Sequence, residues 1–100
     1  MKRRFVIGAE GLTKDAERKM VEFFREKKLA WWHHISNFWL VYDVSDTITA
    51  QELRDAIVKL RPTGNPVLVL QIPQSSTWSG MRPSTKTDMF DWIEKSWVTD

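Results

Sequence analysis

The chain reads as an α+β domain with the element order β-α-β-β-α-β and one more helix at the end. Three observations predict it. Short β-rich runs alternate with segments of helical period. Each of the first two helical segments opens on a threonine suited to cap it. Only Ser36-Asn37 separates the two middle strands, which is hairpin chemistry. This order is the split-βαβ pattern of a ferredoxin-like sandwich. Right-handed crossovers then set both main helices on one face of a four-stranded antiparallel sheet. The other face is open unless something covers it.

The elements follow in order. "RRFVIGA" is a β-rich run with Glu10-Gly11 after it, and reads as a buried strand. Thr13 offers an N-cap, and Asp15 and Glu17 put acid where the helix dipole favours it. Ala16, Met20, Phe23 and Phe24 then stripe one face of a helix over 14–28. "LAWWHHISNFWLVYDV" packs three Trp, one Phe, one Tyr and two His into sixteen residues and splits into strands over 30–35 and 38–44. "TAQE" from Thr49 to Glu52 matches a capping box. Leu53, Ala56, Ile57 and Leu60 carry that helix to Pro62, and Leu53 and Leu60 are candidate core residues. "VLVLQI" is the fourth strand, Val67 to Ile72. A loop over 73–86 leads to a helix over 87–98, striped by Met89, Phe90, Ile93 and Trp97. One domain spans 1–100, with its core over 3–73.

Composition narrows the function classes. Hydrophobic residues are 42% and charged residues 28% of the chain, which is globular composition. The absence of Cys excludes disulfides, thiolate nucleophiles and zinc–thiolate sites. No apolar run approaches the roughly 18 residues of a membrane span. After Lys2-Arg3-Arg4 the run "FVIGA" is too short for a signal peptide. A cytoplasmic protein is the expectation. A net charge of +2 permits nucleic-acid binding without arguing for it.

Strand side chains alternate, so each strand offers two rows. In the first strand Phe5, Ile7 and Ala9 form the row expected under the helices. In the fourth, the row holding Gln71 is assigned to the open face, and the third strand is assigned by the same logic. The open face then carries Val6, Trp39, Val41, Val67 and Val69. That patch is too apolar for water and calls for a cover: the C-terminal helix, a second copy, or a ligand. An RNA-recognition sheet would present several aromatics among basic residues, and this row offers one Trp among valines.

Candidate chemistry is sparse. His33 and His34 are strand neighbours whose rings point to opposite faces, so they cannot share a metal, and zinc wants three or four ligands. "WSGM" lacks the nucleophile-elbow glycine. "IGAEG" lacks the phosphate-loop lysine. Lys2, Arg3 and Arg4 precede the first strand, and Arg82 and Lys86 follow the fourth. The two strands are antiparallel, so the five cations meet at one end of the sheet. They form a candidate phosphate-binding patch or an ordinary solvated surface.

The succession "WWHHISNFWLV", "TAQELRDAI", "NPVLVLQI" and "TWSG", within residues 29–80, resembles the small bacterial and phage proteins described as SinR-like. These are similar to the small ferredoxin-like CRISPR-associated nuclease family. The resemblance implies a ferredoxin-like fold, a homodimer and a defence or mobile-element setting. The nuclease relatives carry Tyr-Asp at the end of the first strand, where paired Asp residues across a dimer can hold a divalent cation. Here that place reads Ala9-Glu10-Gly11. Glu10 is therefore the catalytic candidate of a magnesium-dependent nuclease reading. The principal expectation is a cofactor-free, non-catalytic binding module that engages a protein or nucleic-acid partner.

Overall fold

A computed structural model describes residues 2–61, 64–73 and 90–97. The elements are β1 (Arg3–Ala9), α1 (Lys14–Glu26), β2 (Ala30–Ile35), β3 (Phe38–Asp43), α2 (Ala50–Leu60) and β4 (Val67–Ile72). A short C-terminal helical segment follows, ending in a π-helical turn over Ile93–Trp97. The strands form one antiparallel sheet in the order β2-β3-β1-β4. The expected loop over 73–86 falls, but for Pro73, outside the described residues, as do the first and last residues of the helix expected over 87–98.

Local signals explain where the helices begin and end. The Thr13 hydroxyl accepts from the Ala16 N–H at 3.0 Å and caps α1. Ala16, Met20 and Phe24 recur every fourth residue and are buried together. The helix ends in a Schellman turn: Lys28 N–H donates to Arg25 O and Leu29 N–H to Phe24 O. Lys28 takes the left-handed conformation there, at φ 58°, in a place glycine usually fills.

In α2 the Thr49 hydroxyl accepts from the Glu52 N–H at 3.1 Å and lies 3.2 Å from the Glu52 carboxylate. Thr49→Ala is expected to lower stability by about 0.5–2 kcal/mol, read as a shift in the urea midpoint. An unchanged midpoint would mean that this hydroxyl does not hold the first turn. At the other end Arg61 is extended, as a residue before proline is biased to be.

The main core lies between the sheet and the two helices. Phe5, Ile7 and Ala9 of β1 join Trp39 and Val41 of β3, Met20 and Phe24 of α1, and Leu53 and Ile57 of α2. Leu60 packs at its margin, less deeply than Leu53. A second cluster occupies the opposite face of the sheet. There Trp32 and Leu40 meet Ile93 and Trp97, with Val6, Phe38, Tyr42, Ile72, Phe90 and Trp92 packed around them.

Pairing corrects the assignment of faces. Val41 stands opposite Phe5, and Trp39 opposite Ile7. Val69 stands opposite Ile7, and Val67 opposite Ala9. Trp39, Val41, Val67 and Val69 therefore belong to the helix side, and of the five expected open-face residues only Val6 lies on the open side. The reason is physical. Gln71 shares the helix-side row but sits exposed near the end of an edge strand, where its amide reaches water. Asp43, also in the helix-side row, is buried and satisfied by hydrogen bonds. Neither polar residue marks a solvated face.

Candidate functional site

The open face differs from the expected one. Its row in β3 is Phe38, Leu40 and Tyr42, and β2 adds Trp32 opposite Leu40. In β1 the row holds Arg4, opposite Tyr42, and Val6, opposite Leu40. Three aromatics and a buried cation thus stand where one Trp among valines was expected. The helical period of Phe90, Ile93 and Trp97 signalled that a helix would bury something here, but Trp92 lay off that stripe.

The C-terminal segment covers this face with paired contacts. Phe90 stacks on Trp32 with ring centroids 6.2 Å apart and planes 24° apart. Trp92 lies over Tyr42 at 5.5 Å and 32°, and Trp97 packs beside Trp92 at 5.9 Å. Two cations grip the end of the segment. Arg4 Nε donates to Trp97 O, and Lys2 Nζ donates to Ser96 O while lying 4.2 Å from the centre of the Tyr42 ring. Cations suit the carbonyl end of a helical turn.

Of the five expected phosphate-binding cations, the structure describes Lys2, Arg3 and Arg4. Lys2 and Arg4 face the C-terminal segment. Arg3, in the helix-side row, binds Asp46 at 2.6 Å and Ile48 O at 2.8 Å, tying β1 to the β3–α2 loop. Arg82 and Lys86 lie outside the described residues.

Glu10 follows β1 and is exposed. It lies in an open cleft of about 370 Å³ with Gly8, Ala9, Asn37, Pro66, Val67 and Leu68. Its backbone is fixed: its N–H donates to Pro66 O, and its carbonyl accepts from the Asn65 amide. Asn37 Oδ1 takes the Gly11 N–H at 3.3 Å. Among the described residues, no three His, Asp or Glu side chains gather as a metal-binding group.

The two histidines do point to opposite faces. The His33 ring lies parallel to Trp39, at 3.6 Å and 3°, with Nδ1 2.9 Å from Phe38 O and Nε2 2.9 Å from Glu17 Oε2. It clasps α1 to the edge of the sheet. His34 packs against Trp32 on the other side. A shift in the β2–β3 register falls at these two residues, between Trp32 and Ile35.

At the far edge of the sheet, Leu68 and Leu70 belong to the open-face row opposite Gly8 and Val6. They are 60% and 49% exposed. No helix among the described residues is long and apolar enough to cross a membrane. Comparisons with protein-family models, curated proteins and solved structures give no match to this chain.

Proposed function

We propose that this chain is a small non-catalytic binding module of ferredoxin-like fold that self-associates along β4. The observation that carries the reading is the exposure of Leu68 and Leu70 on a strand that, among the described residues, is paired along one edge only. Unpaired edges offer free backbone donors and acceptors, and natural proteins usually blunt them with charge or proline. Here the outward row carries leucines instead. A second copy meeting β4 antiparallel would extend the sheet across a two-fold axis and bring the leucines of both copies together. The element order and the antiparallel sheet support the ferredoxin-like reading. The SinR-like resemblance adds the bacterial or phage setting, in defence or on a mobile element.

Sedimentation at micromolar concentration is expected to give about twice the 11.8 kDa chain mass. Leu68→Glu with Leu70→Glu is expected to return the monomer without unfolding it, because both side chains already meet water. A wild-type chain that stays monomeric throughout that range overturns the β4 interface.

One observation favours a second reading. The Glu10 carboxylate is exposed just after β1 beside an open cleft, where the resemblance would put the metal-binding Asp of the nuclease family. Magnesium-dependent cleavage of RNA or DNA, abolished by Glu10→Ala, would put a nuclease in place of the binding module.

A further inference from the structure

We propose that the sheet face under the C-terminal segment is a binding site for single-stranded nucleic acid, and that Phe90–Trp97 occupies it as an internal mimic of that ligand. This goes beyond self-association through β4. This face carries Arg4 at 1% exposure, with Lys2 beside it. Both cations donate to oxygen atoms of the segment, Trp97 O and Ser96 O. Two platform rings, Trp32 and Tyr42, are each faced by a ring of the segment, Phe90 and Trp92, within 32° of parallel.

Rings set on rings and cations set on oxygens are what a single strand asks of its binder. Bases stack on aromatic side chains, and basic groups track the phosphates. A four-stranded sheet with aromatics on its central strands is an established platform for this chemistry. Here β3 supplies Tyr42 and Phe38, β2 supplies Trp32, and β1 supplies Arg4 directly opposite Tyr42. The segment places an aromatic ring where a base would stack and a carbonyl oxygen where a phosphate oxygen would sit. A strand that binds this face must displace the segment.

The test is fluorescence anisotropy at low salt with labelled oligo(dT) and oligo(U) of about 12 nucleotides, within the ordinary span of a single-strand site. The wild-type chain is compared with the double variant Phe90→Ala, Trp92→Ala. The variant is expected to bind at least about tenfold more tightly, because the competing rings are gone. Affinity should fall with salt at about 0.7 log units per log unit for each phosphate engaged. Adding Tyr42→Leu to the double variant should remove most of the gain while keeping an apolar side chain in place. The two oligonucleotides separate a DNA from an RNA preference.

Should the double variant fail to fold, the wild-type chain decides. Amide exchange over residues 90–97 is expected to speed up when the oligonucleotide saturates the protein. The proposal is overturned if a folded double variant binds no tighter than wild type. It is equally overturned if exchange over 90–97 is unchanged or slowed at saturation, or if neither oligonucleotide binds at all. The last result would leave a protein partner as the occupant of this face.

Discussion

Trp39→Ala is expected to lower the stability of the chain by about 3–5 kcal/mol. Trp39 is 1% exposed and sits in the main core between β1 and the helices. Phe24 meets it edge-on at 5.8 Å, and the His33 ring lies flat against it. Removing the indole empties a cavity lined by both rings, and a close-packed interior refills such a cavity only partly. A domain of this size has a total stability of about 5–15 kcal/mol, so the variant would be partly unfolded at ordinary temperature if the total lies at the low end. Trp39→Phe separates packing from hydrogen bonding. The indole Nε1 is buried with no hydrogen-bond partner among the described residues, so phenylalanine forfeits volume and no bond. It should fall well short of the alanine loss. Equilibrium unfolding in urea reads both variants. A loss below about 0.5 kcal/mol for Trp39→Ala, the scale of ordinary surface substitutions, would return Trp39 to an exposed face.

That substitution bears on what sequence could reveal. The element order, the caps at Thr13 and Thr49, the Ser36-Asn37 turn and the end of α2 before Pro62 were all legible, because each depends on residues within a few positions of one another. The opposed directions of His33 and His34 were legible for the same reason. The faces of β3 and β4 were not. Alternation divides a strand into two rows, but which row meets the helices depends on register with strands far away in sequence, and one step of slip exchanges the rows. Gln71 and Asp43 were poor guides, since one reaches water from a strand end and the other is buried and fully engaged.

The candidate site divides in the same way. A C-terminal cover was among the expected occupants of the open face, because Phe90, Ile93 and Trp97 recur at helical spacing. The partners of that cover were hidden. Arg4 and Trp97 stand 93 positions apart, and nothing local links a guanidinium near one terminus to a carbonyl near the other. Lys2, Arg3 and Arg4 looked like one cluster of charge along the sequence. In a strand, neighbours point to opposite faces, so Arg3 serves the β3–α2 loop and Arg4 the opposite side of the sheet.

Asp43→Ala is expected to cost at least about 3 kcal/mol at neutral pH, and that cost should shrink in acid. Asp43 ends β3 and is 1% exposed. One carboxylate oxygen accepts from the Ser45 N–H at 3.0 Å and from the Ser45 hydroxyl. The other accepts from the N–H groups of Thr47 and Ile48 at 2.9 and 2.8 Å. These bonds shape the loop that carries Ile48 into the core and Thr49 to the start of α2. Alanine would leave the Ile48 N–H buried and unpaired and the part-buried N–H groups of Ser45 and Thr47 without their acceptor, which costs more than the net value of the bonds themselves. Burial alone would raise the Asp43 pKa. The hydrogen bonds from Ile48, Ser45 and Thr47 outweigh it and hold the carboxyl below its ordinary value. A group whose pKa is lower in the folded chain stabilises it fully above the unfolded value, about 3.9 for Asp. That contribution is lost as pH falls through the folded value. The stability difference between wild type and Asp43→Ala should therefore be constant from neutral pH down to about pH 5 and narrow below about pH 4. Taking the difference removes the acid response of the other carboxylates, which both proteins share. Urea unfolding of the pair across that range measures it, and a gap that stayed as wide at about pH 2 as at neutrality would mean that the ionised Asp43 carboxylate does not hold this loop.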